Sequence, residues 1–358
     1  MRRGAAVALA LAVLALGAAN LSGVRAADLG YLAQSVGGHL ALLSAARPVP
    51  EWLADAQTPE ALRARLRLSQ QMRDFAATEL ALPDNASYRR YADLQRAAAV
   101  WNVVAAPELS LKLQTWCFPV VGCVGYRGYF DRAQADAFAA TLRAQDFEVD
   151  VYGVPAYSTL GRLPGDFFAD PLLNTFLGWP EVELARLIFH ELAHQVVYVS
   201  GDTMFNESFA TAVERIGSAR WIAARASPEA AAEYAALDRR RQEFRALTLR
   251  ARAELDAVYR GAASDDEKRA GKAAVLQRLR ADYAAVRDGP WQGFAGYDAW
   301  MARANNASLG VLAAYNELVP QFERLYEREG RDLPRFYAAV RRLADLPADE
   351  RRATLERL

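Results

Sequence analysis

Leu187-Ile188-Phe189-His190-Glu191-Leu192-Ala193-His194-Gln195 carries two of the chain's three histidines in an H-E-x-x-H arrangement. Residues four apart on an α-helix share a face, so both imidazoles can reach one metal ion at about 2 Å. Glu191 stands one step round from His190, placed to touch a water at the metal without being a ligand. Zinc in such a site acidifies water and polarises a peptide carbonyl. A carboxylate in the position of Glu191 takes the water's proton and passes it to the leaving amine. With so few histidines the pattern arises idly about once in a thousand chains. Two histidines merely packed in a core would leave two polar rings in need of partners. Leu184, Leu187, Ile188, Leu192 and Val196 form a buried stripe, which predicts a helix of about 20 residues over 181–200. Zn2+ is therefore the expected cofactor, with His190 and His194 as ligands and Glu191 as general base.

A third ligand must come from further along. The metzincin pattern is excluded, because Val197 and Ser200 occupy the positions where it has glycine and histidine. The chain continues instead as Gly201-Asp202-Thr203-Met204-Phe205-Asn206-Glu207-Ser208-Phe209-Ala210. Gly201 and Asp202 end the first helix and Glu207 opens the next. Asp202 suits a turn or helix cap, whereas residues 201–205 can return the chain to the level of the histidines. Glu214 lies two turns beyond Glu207 on the same face. It reads either as the carboxylate that holds a ligand histidine by its second nitrogen or as an exposed helix charge.

Outward from this motif, residues 28–46 and 58–81 look helical, with prolines 48, 50 and 83 as breakers. Strand-like sequence runs from Val100-Trp101-Asn102-Val103-Val104 to Tyr129. Asp131 can cap a helix reaching about residue 145, and residues 147–154 alternate as a strand does. Beyond 205 the chain reads as almost wholly helical. Leu237, Phe244, Leu247, Ala251, Leu255 and Val258, then Leu276, Leu279, Tyr283 and Val286, predict an antiparallel helical hairpin over 228–287 with a narrow apolar seam. As a structural arm it needs no further role; a substrate gate or partner surface is the alternative. Asn305 and Asn306 are expected to cap a helix over 307–315, and His39 to be a surface or capping residue. The fold class is α+β, mainly helical: a small mixed sheet beside the motif helix, then a helical C-terminal lobe. One mature domain over 27–358 is expected, with an α/β lobe over 27–205 and a helical lobe over 206–358.

Composition narrows the function. The chain is 53% hydrophobic and carries 43 basic and 43 acidic side chains, which argues against a disordered chain and against a nucleic-acid binder. Arg2 and Arg3, the apolar run over 5–17 and Val24-Arg25-Ala26 form a secretory signal over 1–26, cut before Ala27. Its removal takes three arginines and no acids, leaving a net charge of −3. The apolar run is short for a membrane anchor, and no cysteine near the cut supports a lipoprotein. The expected home is the periplasm or beyond. In an oxidising compartment Cys117 and Cys123, flanking a turn with Pro119 and Gly122, are expected to form a disulfide, with a two-cysteine metal site as the alternative.

Further segments carry a resemblance. They are Tyr88-x-x-Tyr91-Ala92-Asp93-Leu94, Val100-Trp101-Asn102-Val103, Ala106-Pro107-Glu108-Leu109-Ser110-Leu111 and Trp116-Cys117-Phe118-Pro119. With them go Tyr126-Arg127-Gly128-Tyr129-Phe130, Ala156-Tyr157-Ser158-Thr159-Leu160-Gly161 and Asn206-Glu207-Ser208-Phe209-Ala210. Together with the histidine motif, over most of the mature chain, they resemble the bacterial putative aminopeptidases, HExxH zinc peptidases of zincin, gluzincin-like type. The resemblance implies a zinc aminopeptidase with Glu207 as third ligand, since gluzincins complete their site with a glutamate on a second helix. It also implies a peptide substrate, which the edge strand that zincins place over the metal, here 156–161, could bind by β-augmentation. The Gly-x-Met-Glu-Asn run with which gluzincin aminopeptidases grip a free amine is not found, so endopeptidase action stays open. A zinc-binding scaffold without turnover is a further alternative, against which the intact Glu191 argues. Tyr157, Tyr198 and Tyr315 are candidate oxyanion or substrate contacts.

Overall fold

The apolar run Val100–Pro107 becomes the central strand of an antiparallel three-stranded sheet, between Arg127–Tyr129 and Phe147–Val154. The computed structural model describes residues 26–118, 122–156, 158, 165–314 and 318–358. Successive side chains of a strand point to opposite faces, and here both faces are covered. Val103 and Ala105 pack with Val149 and Val151 against Ala135, Ala139 and Leu142 of helix Arg132–Arg143. Val104 and Ala106 face Ala307 of helix Asn306–Ala314. Burial on both sides is why the strand lacks a polar alternation. Asp131 caps the first of these helices, accepting the Gln134 N–H at 2.9 Å.

Two smaller sheets complete the strand content among the described residues. Arg47–Pro48 pairs antiparallel with Arg90–Ala92, which runs parallel to Leu172–Leu173. Trp116–Phe118 and Gly122–Val124 form a hairpin in which Cys117 stands opposite Cys123, and the two are joined by a disulfide. The protein is α+β and mainly helical, and no described helix is long and apolar enough to cross a membrane.

The principal core draws its helices from both ends of the chain. Leu66 and Phe75 of Glu60–Thr78, Ile188 and Phe189 of Glu181–His194, and Phe209 of Thr203–Ala224 join Phe322 and Phe336 of two C-terminal helices. Phe75 stacks on Phe189 at 6.1 Å and meets Trp221 edge-on at 5.2 Å, while the Trp221 indole N–H donates to Glu181 at 2.9 Å. Gly217 permits this approach: a Cβ there would lie 2.7 Å from the Phe189 ring and 2.8 Å from Leu80. The motif helix is thereby pressed directly against the helix that carries Glu207.

A second core belongs to the hairpin, Pro228–Arg260 with Asp265–Asp288. Phe244, Leu247, Ala251 and Leu255 close on Val275, Leu276, Leu279 and Tyr283, and Ser264 with Glu267 forms a capping box at the turn. Asn305 caps the next helix by accepting the Ser308 N–H at 3.0 Å. Asn306 does not share that role. Fully buried, it donates to the carbonyls of Pro107 and Glu108 at 3.1 and 2.7 Å and accepts from the Tyr259 hydroxyl at 2.7 Å, tying hairpin to sheet. His39 is neither on the open surface nor at a cap. It lies midway along helix Ala26–Ala45, where burial pushes its imidazole down to about 4.

Candidate metal centre

The motif helix ends sooner than its apolar stripe suggests: it spans Glu181–His194, 14 residues, and not 181–200. Val196, Val197 and Val199 are β-branched and poor helix formers. Neighbouring side chains supply other partners. Asn85 donates to the Gln195 side-chain oxygen at 2.7 Å, and the Gln195 amide donates to Ser87 at 3.1 Å. Beneath this loop lies Arg73, fully buried, bonded to the carbonyls of Ser87 and Asn85 at 3.0 and 3.1 Å and to that of Pro83 at 2.5 Å. Removing it would leave buried carbonyls unsatisfied, at about 1–3 kcal/mol each.

Asn206 explains how the chain returns. Its Oδ1 accepts the Val199 N–H at 2.8 Å and its Nδ2 donates to the Val199 carbonyl at 2.7 Å, so one buried side chain replaces both backbone partners. Asp202 caps helix Thr203–Ala224 through the Phe205 N–H at 3.1 Å, and its second oxygen pairs with Arg351 at 2.8 Å. Both oxygens are engaged away from the histidines. Glu207, in the second turn, is the carboxylate delivered to them.

The ligand atoms converge closely. His190 Nε2 and His194 Nε2 are 3.1 Å apart, and Glu207 Oε2 lies 3.3 Å from the first and 3.7 Å from the second. Tetrahedral ligands at about 2.0–2.1 Å from zinc stand about 3.3–3.4 Å from one another, so the set fits such an ion. It is the group among the described residues able to hold a metal. On the far side of His190, Nδ1 meets Glu214 Oε2 at 2.8 Å. Glu214 is buried, not an exposed helix charge. A proton on Nδ1 leaves the Nε2 lone pair directed at the cluster. His194 Nδ1 has no such partner among the described residues.

The electrostatics follow from enclosure. Burial by itself would lower the His190 imidazole, but Glu207 and Glu214 outweigh it and raise the group above its ordinary range. Burial works against the charge of Glu207, yet the two imidazoles keep that carboxyl well below its usual range. Arg186 and His190 do the same for Glu214, down to about 2. Glu191 is different. Burial holds its carboxyl above the ordinary range; the imidazoles pull it down, and Glu207 and Glu214 push it further up.

Two tyrosines outside the motif also feel this cluster. Tyr88 is buried and raised first by that burial and next by the Glu191 charge. It holds φ at +63°, costly for a residue with a bulky side chain, with its N–H bonded to the Asp170 carbonyl at 2.6 Å. Tyr152 is pushed up to about 12 by burial, against its bond to Asn102, with Asp150 and Glu207 adding to the rise. It pairs across from Asn102 in the sheet, a register that the sequence alone does not announce. Of the expected tyrosines, Tyr198 meets the His194 ring edge-on at 6.3 Å. Tyr157 and Tyr315 lie outside the described residues. So does most of 156–161, and the adjoining strand ends at Val154.

A helical α+β protein with a largely enclosed His-His-Glu cluster beside a further glutamate has a donor set that could hold a metal ion. The family model described as "Putative aminopeptidase" matches residues 30–355, and the chain belongs to that family. No curated protein and no solved structure matches it.

Proposed function

We propose that the protein is a zinc-dependent aminopeptidase of gluzincin-like type that acts outside the cytoplasm. The observation that carries this is the convergence of His190 Nε2, His194 Nε2 and Glu207 Oε2 at the spacing of tetrahedral ligands, one residue from Glu191. Zinc held there supplies Lewis acidity, polarising the scissile carbonyl and acidifying a water. Glu191 accepts the attacking water's proton and delivers it to the departing amine nitrogen. Burial raises its affinity for a proton, the direction that accepting one requires. Glu214 holds His190 in the tautomer that presents Nε2. Among the described residues, Tyr88 feels the charge of Glu191 and Tyr152 that of Glu207.

Family membership supports a peptide substrate and removal of N-terminal residues. The signal-like segment over 1–26 and the disulfide Cys117–Cys123 support action in an oxidising compartment. The test is to incubate zinc-loaded protein with a mixed peptide library, free and N-acetylated, and read the cut positions by mass spectrometry. Release of N-terminal residues from free peptides alone is expected. Internal cuts in acetylated peptides would make it an endopeptidase, and intact peptides in every arm would overturn the reading.

A further inference from the structure

The polar face of the motif helix extends beyond the histidines. Glu183 and Arg186 lie seven and four residues before His190, on the same side of the helix. Arg186 grips Glu214 Oε1 with Nε and Nη2, each at 2.8 Å, leaving Oε2 for His190. Its remaining nitrogen, Nη1, donates to Glu183 Oε2 at 3.1 Å. The other oxygen of Glu183 is taken by Arg241 Nη2 at 2.5 Å, and Arg241 Nη1 is held by Asp238 at 2.8 Å. Arg241 and Asp238 belong to the first helix of the hairpin, distant in sequence from the motif. Charges alternate in sign along the whole line. The carboxylates at its inner end are the more enclosed, with the Glu214 and Glu183 side chains 4% and 11% exposed, while Asp238 at the outer end is 27% exposed.

We propose that the hairpin sets the orientation of a metal ligand: Arg241 is a positioning residue for His190, acting through Glu183, Arg186 and Glu214. The proposal rests on the zinc site formed by His190, His194 and Glu207. A buried ion network is a poor source of net stability, since desolvation offsets most of the attraction. Geometry is what it supplies. A planar guanidinium fixed at three nitrogens cannot rotate, so the carboxylate it grips cannot rotate, and the imidazole plane is fixed in turn. Without Arg241, Glu183 is restrained from one side only and Arg186 can swing with it.

The readout is zinc affinity, measured by competition with a chromophoric chelator on protein shown to be folded by circular dichroism. Arg241→Ala should weaken zinc binding by about threefold to tenfold, less than the about 10- to 100-fold expected for Glu214→Gln, which loses the direct partner of the ligand. Arg241→Lys, which can keep one bond to Glu183, should recover part of the loss and also serves if the alanine variant does not fold. Arg250→Ala, which removes an exposed pair with Asp282 on the neighbouring hairpin helix, should bind zinc as the wild type does. In a Glu214→Gln background the Arg241→Ala loss should vanish, because the route runs through that carboxylate. Unchanged affinity in Arg241→Ala, or a loss that adds in full to that of Glu214→Gln, would overturn the proposal. Wild-type protein that takes up no zinc would overturn the metal site itself.

Discussion

The motif helix with its partner Thr203–Ala224, and the hairpin Pro228–Arg260 with Asp265–Asp288, are both packed helix pairs, yet they spend their polar residues in opposite ways. The hairpin closes on apolar residues and holds pairs such as Arg250–Asp282 and Arg278–Glu254 in water, with side chains 38–59% exposed. Such pairs contribute about 0–1 kcal/mol. The motif pair buries His194, Asn206, Glu214 and Glu183 within the main core. Removing one partner from a buried ion pair costs about 3–5 kcal/mol, because the other is left unpaired. The hairpin is built to be an element; the motif pair is built to hold side chains in one arrangement. Arg241 is where a charge of the first grips a charge of the second.

That contrast can be broken at several points. Glu191→Gln should show the largest effect: hydrolysis falls by about 10²- to 10⁴-fold while zinc content and fold are kept, because only the proton acceptor is lost. Near-normal turnover in zinc-replete mutant protein would remove Glu191 from the mechanism. Next, Gly217→Ala should destabilise the motif pair by about 1–3 kcal/mol in a denaturant titration, since its methyl would meet the Phe189 ring and Leu80. Asp282→Asn on the hairpin should stay within about 0.5 kcal/mol of wild type. Equal losses at the two positions would erase the distinction between the regions.

Smaller effects sharpen it. Intact-mass analysis with alkylation should find no free thiol at Cys117 or Cys123 before reduction and two after it. Hydrolysis should survive reduction, since a bridge closing so short a loop constrains the unfolded chain little; loss of activity would tie the loop to the site. The smallest effect concerns His39, whose folded value of about 4 lies below the ordinary 6.5 because of burial. The unfolded chain therefore binds the proton first as the medium is acidified. Stability from this group is complete above pH 6.5 and is lost as pH falls toward 4. His39→Leu should lose less stability across that window than wild type, and parallel curves would refute the assignment.

Much of this organisation is legible in the sequence where the signal is local. The spacing of His190 and His194, the alternation in Phe147–Val154, the cap at Asp131 and the apolar seam of the hairpin each lie within a few turns of chain. The features that escaped depend on groups distant in sequence. Past His194 the Asn206 side chain, from the next helix, takes both backbone groups of Val199, and no periodicity records that. Asn306 bonds to Pro107, Glu108 and Tyr259 in place of the cap its position suggests. Glu183 and Arg186 were visible at helical spacing from His190, but their meaning depends on Arg241, 58 residues from Glu183. Tyr88 matters through a backbone conformation that its sequence neighbours do not announce.

One zinc ion held by His190, His194 and Glu207 is what the proposed function requires. Equilibrium dialysis against zinc, with metal analysis of folded wild-type, Glu207→Ala and Asp202→Ala proteins, tests it most directly. One zinc per chain should be found in the wild type and in Asp202→Ala, whose carboxylate is committed to Phe205 and Arg351. Glu207→Ala should lose most of its zinc under the same conditions. Full occupancy in Glu207→Ala with loss in Asp202→Ala, or a wild type that retains no zinc, would contradict the site as drawn.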